Sequence, residues 1–289
     1  MSFLSVRNLT VRLKNGPPIL RRVSLDVTPG EVRGLVGESG AGKSMIGKAV
    51  LGILPPSVQI TEGEIFLDGI DLLRLPPKDI RRRTGASCAL IPQDPLTALN
   101  PSHRIGPQIT DRLVDILGWT RPAAEARAMD LLAEVQIADP ARVLLSYPHE
   151  LSGGMRQRVL IASAFAAEPK LIVADEPTTA LDVTVQKQIL RLIADMQARH
   201  GTAILFVTHD LGVVSKICQK LSVLYAGLVV EDCPVADFFA APRHSYSAAL
   251  LAATPKYTDP DAGLHPVPDA VIDAVRAEVA AFDAGASND

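Results

Sequence analysis

The chain has 289 residues, of which 47% are apolar and 21% charged, a balance that excludes dominant disorder and collagen-like or low-complexity classes. Its 29 Lys and Arg against 32 Asp and Glu give a net charge of -3, so the total charge favours neither nucleic acid nor an anionic membrane surface as a partner. Cys88, Cys218 and Cys233 lie far apart, which argues against a disulfide framework, a zinc site or an iron–sulfur cluster and predicts inert thiols. No apolar run of about 18 residues and no signal-peptide pattern occurs, so we expect no membrane span.

The first third of the chain predicts short strands around a glycine-rich loop. Strands are expected at residues 3–13, 20–27 and 32–36. A turn at Gly16-Pro17-Pro18 separates the first two. A helix is expected from about Ser44 to Leu54. An alternating strand then ends in Asp68-Gly69, which predicts a hairpin.

The middle of the chain changes to a helical pattern. Apolar residues recur at helical spacing between Pro107 and Ala167. Two continuous apolar runs follow, at residues 171–174 and 203–207, as buried parallel strands require. This order predicts an α/β layer fold with an inserted helical lobe at about residues 96–160.

The tail after Pro255 is rich in Pro, Asp and Ala. Four apolar residues fall on one helical face and predict a short amphipathic helix: Val271, Val275, Val279 and Phe282. The plainer alternatives are a helix docked on its own domain and a frayed end. We therefore divide the chain into a main domain at 1–255 and a tail at 256–289.

A phosphate-binding motif stands directly after an apolar strand and before a helix. Its residues are Gly37, Glu38, Ser39, Gly40, Ala41, Gly42, Lys43 and Ser44, which match G-x-x-x-x-G-K-[ST]. Backbone N–H groups would converge on phosphate oxygens at the helix N-terminus. Lys43 would reach the β- and γ-phosphates, and the Ser44 hydroxyl would ligate Mg²⁺. The alternative is a simple glycine-rich turn.

A second acidic site follows the apolar run 171–174. Asp175 and Glu176 would stand at the C-terminal end of a parallel strand, where such sheets bind ligands. Asp175 would hold Mg²⁺ directly or through water, and Glu176 would polarise the attacking water as general base. Two acids that merely cap a strand are the alternative.

A third motif brings in a resemblance to a family. Leu151, Ser152, Gly153, Gly154 and Met155 resemble the signature motif of ATP-binding cassette (ABC) proteins. With the phosphate loop, Gln93, Asp175-Glu176, the Ala180-Leu181-Asp182 turn and His209, the motifs follow the family order. The resemblance implies a P-loop NTPase (RecA-like) core with an antiparallel β subdomain and an inserted α-helical subdomain of the ABC ATPase type.

The resemblance implies that two cassettes sandwich ATP head to tail. The signature residues would complete the phosphate site from across the dimer, and Asp182 would tie the two cassettes together. Gln93 would touch Mg²⁺ or the attacking water, and His209 would hold the γ-phosphate and Glu176 in place. The alternatives are a loop-ending glycine pair at the signature, an exposed turn at Gln93, a structural histidine and a helix N-cap at Asp182.

Within the family, the chain resembles ATPases of bacterial dipeptide and oligopeptide importers, a group that includes nickel importers. The matching stretches are residues 93–101, 147–150, 225–231 and 242–255. The resemblance implies a peripheral ATPase on the cytoplasmic face of the inner membrane, with two transmembrane permease subunits docking on the helical lobe. It also implies an extracytoplasmic solute-binding protein and a second ABC ATPase, as a heterodimer or alternatively a homodimer.

An alternative function is an accessory or assembly ABC ATPase not coupled to transport, such as one resembling carbon–phosphorus lyase components. The chain also departs from the family pattern in three ways, one of which is that Ser245 and Ser247 replace the usual Pro and Thr. Leu13 stands where the family usually places an aromatic residue, so stacking on adenine should be weaker. The tail carries no cysteine, whereas many peptide-importer ATPases have a cysteine cluster there, so we expect no iron–sulfur cluster.

Overall fold

A computed structural model of the chain describes residues 2–179, 182–254 and 266–286. These residues form two compact units. The helical unit contains Val27–Glu31 and Asp71–Phe206, and the phosphate-loop unit contains Leu4–Asp26, Val32–Ile70 and the described chain from Val207 onward.

The secondary structure alternates between strands and helices over most of the chain. The strands are β1 (Leu4–Leu13), β2 (Pro18–Val27), β3 (Val32–Val36), β4 (Val58–Leu67), β5 (Ile70–Asp71), β6 (Cys88–Ile91), β7 (Leu171–Asp175), β8 (Ala203–Val207), β9 (Lys220–Tyr225) and β10 (Leu228–Pro234). The helices are α1 (Lys43–Leu51), α2 (Pro77–Ser87), α3 (Pro95–Ala98), α4 (Ile105–Asp115), α5 (Arg121–Glu134), α6 (Pro140–Leu145), α7 (Gly153–Phe165), α8 (Val183–His200), α9 (Leu211–Ile217), α10 (Val235–Ala240), α11 (Ser245–Ala253) and α12 (Asp269–Ala286).

The phosphate-loop unit contains two sets of strands. In the first, β1 lies between β2 and β4, and β1 pairs antiparallel with β4 from Leu4 opposite Leu67 to Leu13 opposite Val58. In the second, β9 pairs parallel with β3 and antiparallel with β10. Every residue of β3 is buried, as expected for a parallel strand covered on both faces.

Two-residue turns follow β4 and β9. Asp68 and Gly69 have φ of 52° and 74°, and Ala226 and Gly227 have φ of 45° and 79°. Positive φ at both positions is the geometry of a type I′ turn, which matches the twist of the flanking strands. The hairpin predicted at Asp68-Gly69 is therefore confirmed.

The helical unit contains the two apolar runs that the sequence predicts as buried strands. They form β7 and β8, which are neighbours, and their apolar residues are buried. β6 pairs parallel with β7 from Cys88 opposite Leu171 to Ile91 opposite Ala174. The four residues of β6 are too few to show a period, which is why the sequence did not predict this strand.

Helices α4, α5, α6 and α7 pack on one another in the helical unit. Their buried faces are apolar, with Ile109, Leu113, Leu131 and Leu132 almost fully covered. They are among the residues whose helical spacing predicted the lobe, whereas Ile116, which was also used for that prediction, is 49% exposed. The burial explains why short helices hold together here, since packing of an apolar face outweighs intrinsic propensity.

The prediction for the first helix was wrong at its end. The helix α1 ends at Leu51, not Leu54, because Gly52 adopts a left-handed conformation with φ 69° and donates to the carbonyls of Lys48 and Ala49. This is the usual glycine C-cap. Pro55 and Pro56 follow and cannot continue a helix.

The tail helix is α12, and it lies on the phosphate-loop unit. Val275 is fully buried and Val279 is 8% exposed, and α12 packs on α11. The boundary placed at residue 255 lies outside the described residues. Among the helices of the described ranges, none is both long and apolar enough to cross a membrane.

Candidate functional site

The phosphate loop connects β3 to α1 in the phosphate-loop unit. Gly37 has φ 152°, and a Cβ there would collide with the carbonyl of Leu224. Gly42 has φ 98° at the N-cap of α1, and its Cβ would lie 2.7 Å from Leu20 Cδ2. Only glycine has the conformational freedom and the size for these two positions.

The N-terminus of α1 presents its backbone N–H groups without a side-chain cap, and its first turn contains no acidic residue. The first N–H groups of a helix have no acceptor within the helix, and the helix dipole places positive charge there. Lys43 is 5% exposed, and its ammonium donates to the carbonyls of Gly37 at 2.7 Å and Glu38 at 2.8 Å. Amides, dipole and ammonium together make this loop a site for a polyanion.

His209 also belongs to the phosphate-loop unit, two residues after β8 ends. Its side chain is exposed, while the preceding Thr208 is buried and donates its N–H to Leu35 of β3 over 3.1 Å. Asp210, on the other side, caps α9 by accepting from Gly212 N at 2.8 Å. Hydrogen bonds of Thr208 and Asp210 thus fix the backbone on both sides of His209.

Asp175 and Glu176 stand at the C-terminal end of β7 in the helical unit, as predicted, and both are half-buried. Glu176 adopts a left-handed conformation with φ 46°, which is disfavoured for a residue with a side chain. The hydroxyl of Thr179 donates to Glu176 Oε2 over 2.9 Å. The amide of Gln93 donates to the same oxygen over 3.2 Å.

Gln93 lies in an exposed turn after β6, two residues before Pro95 begins α3. An exposed turn at this position is what the alternative interpretation of Gln93 predicted, but the Gln93 side chain also donates a hydrogen bond to Glu176. Since the amide nitrogen faces Glu176, the amide oxygen is turned to the opposite side. That oxygen, the Asp175 carboxylate and the Ser44 hydroxyl are hard oxygen donors of the kind that Mg²⁺ prefers.

The signature residues form the start of α7 in the helical unit. Ser152 caps this helix, with its hydroxyl accepting from Met155 N over 3.3 Å. Among the described residues, apart from the chain neighbours and the helix's own backbone, none lies within 4 Å of a Cβ built on Gly153, and Val185 Cγ1 lies 3.9 Å from one built on Gly154. Leu151 is buried and anchors the motif, so the glycine amides are held at a rigid and accessible helix end.

Asp182 caps the N-terminus of α8, with its carboxylate accepting from Thr184 N at 3.0 Å and Val185 N at 2.9 Å. The structure thus shows the N-cap that the sequence offered as an alternative for this residue. The rest of the predicted turn, Ala180 and Leu181, lies outside the described residues.

Two residues of this site were missed from the sequence. Thr179 orients the Glu176 carboxylate. Gln157, in α7, is 1% exposed and donates to the carbonyl of Pro177 over 2.7 Å, which fastens the signature helix to the segment that follows Glu176. The only available signal for Gln157 was a polar residue within an apolar helix face, and Thr179 gave none.

Comparison with known proteins identifies the family. The ABC transporter family model matches residues 20–179. A probable peptide ABC transporter ATP-binding protein of Sinorhizobium fredii is 48% identical over 257 residues, covering 87% of this chain and 76% of that protein. A probable D,D-dipeptide transport ATP-binding protein of Escherichia coli is 48% identical over 253 residues, covering 87% of this chain and 77% of that protein.

Solved structures of ABC proteins have a similar fold. The protein cbiO1 of Clostridium perfringens, part of the ABC transporter complex cbiONQ, superposes with a TM-score of 0.73 at 25% identity, over 86% of this chain and 95% of that one. A dimeric cassette in a post-hydrolysis state with ADP and phosphate gives 0.70 at 25% identity, over 80% and 98%. The likeness confirms the predicted P-loop α/β fold with inserted helices. The chain belongs to the ABC transporter family, as one of its ATP-binding and ATP-hydrolysing subunits.

Proposed function

We propose that this chain energises the import of peptides or related small solutes across a bacterial inner membrane, bound at its cytoplasmic face to two separate permease subunits. The observation that carries the proposal is its 48% identity to two peptide-transport ATP-binding proteins over 87% of its length. The same likeness favours an importer over the accessory ATPase that the sequence left open.

The phosphate loop supplies the ATP-binding half of the proposed mechanism. The uncapped amides of α1 and the Lys43 ammonium would hold the β- and γ-phosphates. Ser44, Gln93 and Asp175 would hold Mg²⁺, which would neutralise charge that develops on the phosphate oxygens. Their hydroxyl, amide and carboxylate oxygens fit this hard cation.

Glu176 supplies the hydrolytic half. Its carboxylate would accept a proton from the water that attacks the γ-phosphate in line. Thr179 and Gln93 both donate to Oε2, which fixes the orientation of the carboxylate. His209, on a turn fixed at both neighbours, would hold the γ-phosphate and Glu176.

A second cassette would complete the site. The accessible amides of Gly153 and Gly154 would bind the γ-phosphate of ATP held by the partner cassette. The similar post-hydrolysis cassette is a dimer, which supports this arrangement. We expect a heterodimer with a sister ATPase, with a homodimer as the alternative, and Asp182 at the junction between the two.

The helical unit offers a docking place for the permeases. An open hollow of about 690 Å³ is lined by His103, Arg104, Pro107, Asp111, Arg121, Glu125 and Tyr147. Arg121 and Asp111 are ion-paired at 2.9 Å across it. The apolar side chains of Leu96 and Leu145 are about two-thirds exposed, at 65% and 64%. A charged hollow and exposed leucines on the same unit would suit an amphipathic cytoplasmic helix.

The test is to tag the chain, extract membranes gently in detergent with ATP present and identify the co-purifying proteins by mass spectrometry. We expect two multi-span permeases and a second cassette ATPase, with a solute-binding protein in the assembled system. Recovery from the soluble fraction alone, without permease, would contradict the proposal and favour the accessory ATPase.

A pair of variants sharpens this test. Leu145→Glu places a charge on the proposed docking face and should lower the yield of co-purified permease at least fivefold. Ile53→Glu changes an equally apolar side chain, 50% exposed, in the phosphate-loop unit, and should leave that yield unchanged. Equal permease yields from the two variants would count against docking on the helical unit.

A further inference from the structure

The phosphate loop is bonded directly to the turn between β9 and β10. The N–H of Gly227 donates to the carbonyl of Ala41 over 2.9 Å, and the N–H of Arg21 donates to the carbonyl of Gly227 over 2.8 Å. A Cβ on Gly42 would lie 3.6 Å from the Gly227 Cα, so the backbones are closely packed. The position of the loop therefore depends on where this turn is held.

The turn contains a residue in an unfavourable conformation. Ala226 has φ 45°, in the left-handed region that a Cβ disfavours. Its carbonyl accepts a hydrogen bond from the Arg21 guanidinium, which also donates to the carbonyl of Pro18 over 3.2 Å. Arg21 thus holds both residues of the turn, Ala226 through its side chain and Gly227 through its backbone.

The remaining donors of Arg21 bind the C-terminal helix α12. Nε and Nη2 donate to the two carboxylate oxygens of Asp283 over 2.8 and 2.9 Å. The Arg21 side chain is 12% exposed and the Asp283 side chain 40% exposed, so the guanidinium is largely shielded from water while the carboxylate stays partly solvated. Bidentate pairing fixes both the position and the plane of a guanidinium, so Asp283 determines where Arg21 can reach the turn.

The helix α12 is itself held in place on the phosphate-loop unit. Val275 and Val279 are buried, and Glu278 pairs with the imidazole of His244 at 3.0 Å. The neighbouring helix α11 also packs on β10. Tyr246 of α11 is fully buried, with its ring edge against Tyr225 at 4.9 Å between centroids.

The hydroxyl of Tyr246 is buried, and no hydrogen-bond partner for it lies among the described residues. Burial raises the pKa of Tyr246, and the carboxylate of Glu38, the second residue of the loop, raises it further. The hydrogen-bonded path from the tail to the loop is the one that ends at Ala41, through Arg21 and the turn.

We propose that Arg21 and Asp283 are positioning residues of the phosphate loop, so that the docked C-terminal helix sets the affinity of this ATPase for ATP. Neither residue belongs to the phosphate-binding motif at residues 37–44. They act through the Ala226-Gly227 turn and its hydrogen bond to Ala41. The inference rests on the assignment of this loop as the ATP site.

The test compares three variants of the full chain. Asp283→Asn removes the charge and one of the two acceptors, while Asp283→Glu keeps the carboxylate. Asp273→Asn is the matched control, because Asp273 lies on the same helix, is 74% exposed and pairs only locally with Arg276 at 3.6 Å among the interactions seen. The readouts are the Kd for MgATP, kcat and KM for ATP hydrolysis, and hydrogen exchange without nucleotide.

The expected result is a split between binding and turnover. Asp283→Asn should raise Kd and KM for ATP about three- to tenfold with kcat within about twofold of the wild type. Asp283→Glu should restore Kd to within about twofold, as retention of the charged bidentate acceptor predicts. Exchange should quicken in peptides covering residues 37–46 and 224–228 in the Asn variant.

Two results would overturn the proposal. One is a Kd for Asp283→Asn equal to that of Asp273→Asn. The other is faster exchange confined to α12, with the loop and turn peptides unchanged. Failure of the wild-type chain to bind ATP would instead overturn the assignment of the loop as an ATP site, and the exchange data would still decide whether Asp283 holds the loop.

Discussion

The side-chain amide of Gln93 donates a hydrogen bond to Oε2 of Glu176 over 3.2 Å. The two residues are far apart in the sequence, and each follows a strand of one parallel pair, β6 and β7. Because parallel strands end at the same edge of a sheet, the pairing of β6 with β7 brings the two side chains together. A change in the surroundings of Gln93 would therefore directly alter the hydrogen bonding of Glu176, the proposed general base.

Glu176→Gln should abolish turnover and retain ATP binding. An amide has nearly the shape of the carboxylate but accepts no proton from water, so kcat should fall about 10²- to 10⁴-fold. Equilibrium binding of MgATP should change less than about twofold. The control is Glu168→Gln, an exposed glutamate of the same unit. Full hydrolysis by the Glu176 variant would remove its assignment as general base.

Thr179→Val should lower kcat by about ten- to 100-fold, since loss of one hydrogen bond to a charged group costs about 1.5–3 kcal/mol. The hydroxyl that donates to Glu176 Oε2 over 2.9 Å is lost, and the carboxylate gains rotational freedom. Thr179→Ser keeps the hydroxyl and should retain kcat. Steady-state ATPase assays measure both, and equal losses in the two variants would argue for packing rather than hydrogen bonding at this position.

Asp182 can be tested for its two roles with two substitutions. Asp182→Ala removes the acceptor for Thr184 N and Val185 N and should lower the free energy of unfolding by about 1 kcal/mol. Asp182→Asn keeps a capping oxygen and should be nearly as stable as the wild type. If the charge of Asp182 also joins two cassettes, both variants should weaken ATP-dependent dimerisation, measured by light scattering in the Glu176→Gln background. Normal dimerisation by the Asn variant would leave the N-cap as the sole role.

Leu13→Tyr should strengthen nucleotide binding. Leu13 ends β1 in the phosphate-loop unit and is 39% exposed, where the family resemblance implies an adenine-stacking residue. An aromatic ring there should add about 0.5–1.5 kcal/mol of stacking, or about two- to tenfold in Kd for ATP. Inorganic triphosphate, which lacks a base, should bind both forms equally. Ile53→Tyr, at another exposed position of this unit, is the control, and an equal gain there would exclude specific stacking.

The cysteines should not react in the folded protein. Burial raises the pKa of Cys88 to about 11, of Cys218 to about 12 and of Cys233 to about 11. At pH 8 each group is therefore a protonated thiol, and only the thiolate is nucleophilic. Ellman's reagent should label all three in urea and none within minutes under native conditions. Rapid labelling under native conditions would show that the structure around at least one of these cysteines opens readily.

Motifs were readable from the sequence because their chemistry depends on residue type at fixed spacing. Gly37, Gly42 and Lys43 stand at the spacing of a loop that wraps a phosphate and starts a helix, and the apolar run before Asp175 identified a buried strand. Short elements and exact helix ends could not be predicted from the sequence. The four residues of β6 show no period, and α1 ended early because the left-handed Gly52 outweighed the apolar residues that follow.

The sequence by itself determined the phosphate loop, the acidic strand end and the signature helix, because each is a local pattern whose backbone geometry follows from its own residues. Only the tertiary structure decided which groups act on them from a distance. Three hydrogen bonds depend on how the chain packs: Thr179 to Glu176, Gln157 to Pro177 and Arg21 to Asp283. Packing joins residues such as Arg21 and Asp283 from opposite ends of the chain, and no spacing rule in one sequence encodes such a contact.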